Sequence, residues 1–124
     1  MTHTVLVIED DADIRRFIEV ALRRLGLNVV CACDGIEGLR QYHQTEPNLV
    51  ITDIFMPNQD GIGAIREMRA HNSTAKIIAM SGNRRMGKAD ALEIALKLGA
   101  DRILAKPFGP EELRKAVSSC LVPL

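Results

Sequence analysis

Neither sign of charge is in excess: 16 lysines and arginines stand against 16 aspartates and glutamates, for a formal net charge of zero. A surface that coats nucleic acid needs a basic surplus to neutralise phosphates, so no nucleic-acid binding by this domain is expected. Long apolar runs are missing too. None approaches the roughly 20 residues needed to cross a bilayer, so no membrane partner is expected. The opening residues Met1-Thr2-His3-Thr4 lack the charged head and apolar stretch of a secretory leader, and the expected location is cytoplasmic. Cysteine is scarce, with Cys31, Cys33 and Cys120 an odd number on mostly apolar segments. That pattern fits reduced, buried thiols better than a disulfide framework. Cys31-x-Cys33 has no further Cys or His nearby at zinc-ligand spacing. No linker, low-complexity stretch or charge run interrupts the chain. Its 124 residues, 47% hydrophobic and 26% charged, amount to one globular domain, expected to cover 1–124.

What the chain does have is a repeating alternation. Five short apolar runs rich in β-branched residues predict strands β1 (5–8), β2 (29–32), β3 (49–52), β4 (77–80) and β5 (103–105). The runs are continuous rather than alternating, as strands covered on both faces must be. Between them lie segments of helical period. Ile14, Phe17, Ile18, Ala21, Leu22 and Leu25 form one stripe of α1 (14–25), with Arg15, Arg16, Glu19, Arg23 and Arg24 opposite, and Gly26 is placed to end the helix. Asp34-x-x-Glu37 predicts a capping box opening α2 (34–44), which stops before Pro47. Ile62, Ile65 and Met68 mark α3 (61–71), and α4 (88–98) closes at Gly99. Gly109-Pro110-Glu111-Glu112 opens α5, with Pro at the first helical position and acids in the first turn. Its stripe is Leu113, Ala116, Val117, Cys120 and Leu121. Alternating strands and helices imply an α/β fold: a five-stranded parallel sheet, order 2-1-3-4-5, with right-handed crossovers placing helices on both faces.

Ligand chemistry in such a fold belongs at the carboxyl ends of the strands. β1 runs into Glu9-Asp10-Asp11, β3 into Asp53, β4 into Ser81 and β5 into Lys106-Pro107. With strands one and three adjacent, Glu9, Asp10 and Asp53 share a crevice. Two like charges about 4 Å apart repel by about 4 kcal/mol at an effective dielectric of 20, so the cluster must hold a proton or a cation. All-oxygen ligands select a hard ion, and few carboxylates with room for water suit Mg²⁺ better than Ca²⁺. A carboxylate beside Mg²⁺, with an amine and a hydroxyl nearby, is arranged to receive a phosphoryl group as an acyl phosphate.

These residues carry a resemblance. Val5-Leu6-Val7-Ile8-Glu9-Asp10-Asp11, Asp53-Ile54-Phe55-Met56-Pro57, Asp60-Gly61, Ser81-Gly82, Gly99-Ala100-Asp101 and Lys106-Pro107-Phe108 stand in order over nearly the whole chain. The sequence resembles the receiver domain of two-component response regulators, the CheY-like or flavodoxin-like fold. The resemblance implies that Asp53 is the phosphoacceptor, charged by a sensor histidine kinase or phosphotransfer protein. It implies that Asp10, Asp53 and the backbone carbonyl of Phe55 bind Mg²⁺, with Glu9 acting through a coordinated water. Ser81 and Lys106 would contact the phosphoryl oxygens, and the peptide before Pro107 would be cis. Phosphorylation would switch the α4–β5–α5 face toward a downstream effector or an output domain outside this chain, and a phosphorylation-dependent homodimer through that face is one form of the response. The family often carries Tyr or Phe at the position held here by Ile103, so an aromatic readout of the Ser81 movement is not expected. Phe55 and Asn83 would flank the phosphate and influence its hydrolysis.

Plainer roles stand beside these. Asp11 and Asp13 open a helix, where carboxylates cap free N–H groups; Asp60-Gly61 is a turn, and Met56-Pro57 shapes the loop after Asp53. His3, His43 and His71 lie at a terminus or on predicted helix surfaces, away from the acidic crevice. Arg84, Arg85 and Lys88 form a small basic cluster whose default is a solvated face. Three other functions fit these residues less well. An aspartyl-phosphate hydrolase wants a second Asp two residues after the nucleophile, where this chain has Phe55. A pseudo-receiver that only mediates interactions gains little support while Glu9, Asp10, Asp53, Ser81 and Lys106 are all present. A flavin-binding protein on this fold needs a hydroxyl-rich loop after β1, where three acids stand. The domain is thus expected to be a signalling switch rather than an enzyme, autocatalytic acceptance and loss of phosphate aside. Its end at Leu121-Val122-Pro123-Leu124 fits either a stand-alone receiver or the boundary before an output domain.

Overall fold

The computed structural model describes residues 3–54, 61–71, 74–82, 93 and 96–121. Within them run β1 (Thr4–Ile8), α1 (Ala12–Arg24), β2 (Asn28–Ala32), α2 (Gly35–Thr45), β3 (Leu49–Asp53), α3 (Gly61–His71), β4 (Lys76–Ser81), β5 (Arg102–Ala105) and α5 (Pro110–Cys120). Of the span predicted for α4, residues 93 and 96–98 are helical and the rest lies outside the described residues. The five strands are all parallel and run β2-β1-β3-β4-β5 across the sheet. Val5 stands opposite both Val29 and Leu49, so β1 is covered at both edges.

Side chains on a strand point alternately to the two faces, and here both faces are apolar. Val5, Val7, Leu49, Ile51, Ile78 and Met80 join Ile18 and Leu22 of α1 and Leu113 and Val117 of α5 in one core. Leu6, Ile8, Val50, Ile77 and Ala79 join Tyr42 of α2 and Ile65 and Met68 of α3 in the other. Burying each large side chain contributes about 1.5–3 kcal/mol, which is why continuous apolar runs specify interior strands.

The helix ends follow local chemistry. Asp11 caps α1 by accepting from the N–H groups of Asp13 and Ile14 at 2.9 and 3.1 Å. Gly26, at φ +82°, turns the chain out of α1. Asp34 caps α2 through the Glu37 N–H at 2.8 Å. The predicted box is not closed in its usual way. The Glu37 carboxylate instead accepts from the backbone N–H and thiol of Cys33, at 3.4 and 3.1 Å, one residue before the cap. The cysteine reading also needs correction. Cys120 is buried and Cys31 half-buried, but Cys33 is exposed, because it lies just beyond the end of β2. In α1, Phe17 lies on the predicted apolar stripe yet is 37% exposed; its ring meets that of Phe108 at 6.1 Å rather than entering the core.

Candidate functional site

β1, β3, β4 and β5 all end at one edge, and that edge gathers the polar residues. Asp53 is the last residue of β3, opposite Met80 of β4, and Ser81 is the last of β4, opposite Ala105 of β5. The Lys106 N–H donates to the Ser81 carbonyl at 2.8 Å, which brings the lysine alongside the β4 exit. On the other side of the crevice, the Glu9 N–H donates to Ala32 at 3.0 Å, extending the sheet's hydrogen bonding one residue past β1.

The side chains converge. Glu9 is fully buried, Asp53 is 6% exposed and Asp10 is exposed. One carboxylate oxygen from each lies within 4.8 Å of the other two. Lys106 Nζ donates to Asp53 Oδ2 at 2.6 Å and also to Glu9 Oε1. Burial pushes the Glu9 carboxyl from its ordinary value near 4.5 up to about 7; the Lys106 hydrogen bond opposes this, while Asp10 and the Asp53 charge add to it. For Lys106, burial works against the charge, but the hydrogen bonds and charges of Asp53 and Glu9 prevail and raise its pKa above the ordinary lysine value. Burial therefore keeps the Glu9 carboxyl protonated below about pH 7 despite the ammonium beside it.

The donor set fits a hard divalent cation: oxygen ligands only, one of them exposed, so that water can complete an octahedral shell. Glu9, Asp10 and Asp53 are the residues that would hold Mg²⁺. Phe55, Asn83, Met56, Pro57 and Asp60 lie outside the described residues, as do Arg84, Arg85 and Lys88. The peptide between Lys106 and Pro107 is cis. Ile103 is half-buried against the core shared with α2 and α3. The histidines stay away from the acids: His43 and His71 pack against Tyr42 instead.

Two further residues shape the site, and Arg15 carries no sequence signal for it. Arg15 belongs by period to the solvent face of α1, yet its Nη1 donates to the Glu9 carbonyl at 2.7 Å and approaches that of Asp10 at 3.5 Å. It therefore staples the β1–α1 loop that carries both acids. A long arginine reaching back over its own helix N-terminus leaves no periodic signal. Gly82 has its own role: a Cβ there would stand 3.0 Å from Lys106 Cβ and Cδ. The missing side chain lets the lysine stem lie on the β4 exit on its way to Asp53. Beside it opens a groove of 460 Å³ lined by Asp13, Ile14, Phe17, Lys106, Pro107 and Phe108, together with Gly82.

Comparison with known proteins agrees with this geometry. The family model described as the response regulator receiver domain matches residues 5–118. The protein named "Probable transcriptional regulator ycf27" from Guillardia theta is 39% identical over 117 residues, covering 94% of this chain and 44% of that one. This chain spans less than half the length of the curated relatives it matches. Among solved structures, a putative response regulator from Chloroflexus aurantiacus superposes with a TM-score of 0.88 at 31% identity, covering 97% of this chain and 98% of that one. The Vibrio cholerae chemotaxis protein CheY4 gives 0.89 at 25% identity, covering 98% and 100%. With the sheet order, the acid–lysine cluster and the family match in agreement, the chain belongs to the response regulator receiver domains of two-component signalling.

Proposed function

We propose that the domain takes a phosphoryl group onto Asp53 from the phosphohistidine of a sensor histidine kinase or phosphotransfer protein. The observation that carries this reading is the Lys106 ammonium bound to the buried Asp53 and Glu9 within an all-oxygen acid cluster. Attack by the carboxylate oxygen of Asp53 forms an O–P bond as the N–P bond of the donor breaks, and the imidazole nitrogen recovers its electron pair and a proton. Lys106 is placed to follow the incoming negative charge while Glu9 and Asp10 keep the crevice cation-ready. Bound Mg²⁺ would supply charge neutralisation for the transferred group. Ser81, held beside Lys106 through its backbone, is positioned to donate to a phosphoryl oxygen. The groove walled by Phe17 and Phe108 gives a donor protein an apolar landing next to Lys106.

The output is a population shift between two conformations of the α4–β5–α5 face. Ile103 stands where the family often carries an aromatic residue, so a ring changing rotamer there does not report that shift. The protein turns over no external substrate and works in the cytoplasm. The relatives' names as transcriptional regulators support an effect on gene expression, delivered by an effector or output domain, since this domain's net charge of zero does not suit DNA.

Incubation with acetyl phosphate and Mg²⁺, read by intact mass, tests the reading. One phosphoryl adduct is expected, absent in Asp53→Asn and in wild type treated with a chelator. No mass gain in wild type, or an equal gain in Asp53→Asn, would overturn it.

A further inference from the structure

At the end of the molecule opposite the acidic cluster, the last turns of α2 and α3 come together. His43 lies in the last turn of α2 and His71 in that of α3. Both are exposed, and their ring centroids are 4.6 Å apart at 87°. The pair rests on a fixed base. Tyr42 is buried between the helices, donates its hydroxyl to the Met68 carbonyl at 3.2 Å, and meets both imidazoles edge-on at 5.5 and 5.8 Å. The buried Tyr42 thereby sets the helix spacing beneath the two exposed rings. Two helix C-termini, each a partial negative charge, converge on this spot and favour a cation. A cleft of 340 Å³ beside His71 is lined by the carboxylate-bearing Glu46 and by Asn48, leaving space for water ligands.

We propose that His43 and His71 form a second cation site, selective for a borderline transition metal such as Zn²⁺ and distinct in chemistry from the hard-ion cluster at Asp53. Imidazole nitrogens are ligands for such ions, whereas Mg²⁺ prefers oxygen. A tetrahedral ion about 2.0–2.1 Å from each nitrogen needs those nitrogens roughly 3.3 Å apart. Binding requires one exposed ring to turn about its terminal torsion so that one nitrogen of each reaches that separation. Water takes the remaining positions, and the bound ion ties α2 to α3.

Zn²⁺ titration of the whole chain, with Mg²⁺ in excess to occupy the acidic cluster, tests this. One saturable site per chain is expected, with a rise in melting temperature on saturation. His43→Ala and His71→Ala should each weaken Zn²⁺ binding by at least about tenfold, since losing even an outer partner of a ligand costs 10–100-fold. Both substitutions are at exposed positions, and unchanged acetyl phosphate labelling of the variants would show that the fold is intact. No saturable Zn²⁺ binding, or equal affinity in the double variant, would overturn the proposal; in the second case the exposed Cys33 would be the ligand to examine.

Discussion

Glu9 has one carboxylate oxygen on Lys106 and accepts from the Asp11 N–H with the other at 3.4 Å, in full burial. Its pKa, raised from 4.5 to about 7, has a consequence for stability. Between these values the unfolded chain gives up the proton and the folded chain keeps it. Stability without a divalent cation therefore falls as pH rises through that window, by roughly 3 kcal/mol at 1.36 kcal/mol per unit. Lys106, with its pKa raised, acts outside the window: its contribution is lost only as pH climbs above the ordinary lysine range. Urea midpoints at pH 5.5 and 7.5 in the presence of a chelator measure the effect. Wild type is expected to lose stability relative to Glu9→Gln, whose profile loses this component, and Mg²⁺ should reverse the trend by favouring the ionised acid. The residue types at the site were legible because acids and a lysine directly follow apolar strands. Their protonation was not, because it depends on burial and on Lys106, which is 97 positions away from Glu9 in the chain.

At the scale of elements, α2 lies so close on β1 that a Cβ at Gly38 would stand 2.5 Å from Ile8 Cδ1 and 2.9 Å from Ile8 Cγ1. Alanine would gain up to about 1 kcal/mol in helix propensity, but overpacking against a fully buried side chain costs about 1–3 kcal/mol. Gly38→Ala is thus expected to destabilise by about 1 kcal/mol, read from the urea midpoint. Combined with Ile8→Val, which removes the clashing methyl, the loss should be smaller than the sum of the two single changes. The helices and strands themselves were readable from period and punctuation. The need for glycine inside α2 was not, because it arises where a helix meets a strand 30 residues earlier in the chain. The diverted capping bond of Glu37 has the same origin: the exposed Cys33 N–H and thiol lie within its reach once β2 has ended.

For the molecule as a whole, Arg69 acts as a clamp. From α3 it donates to the Gly99 carbonyl at 2.8 Å, to Asp101 Oδ2 at 2.6 Å and to the Ala75 carbonyl. Asp101 in turn accepts from the Ile77 N–H at 2.8 Å. Gly99, at φ +94°, has Arg69 side-chain atoms 3.2–3.4 Å from where a Cβ would be, so the turn into β5 is shaped around this guanidinium. Hydrogen bonds to a charged partner contribute about 1.5–3 kcal/mol each when buried, less here because both partners are partly exposed. Arg69→Ala is expected to cost about 2 kcal/mol and lower the melting temperature by several degrees, with faster amide exchange at residues 99–101. Arg69→Lys should recover little, since a point charge cannot serve three separated acceptors. Sequence alone determined the βα alternation, the burial of both sheet faces and the identity of the acids, Ser81 and Lys106, because these follow from local composition and from strands ending in polar residues. Only the tertiary structure decided that Lys106 binds Glu9 and Asp53 together, that Arg15 staples the acidic loop, and that His43 meets His71. Each of those contacts joins positions that no local period relates, and only packing brings them within reach.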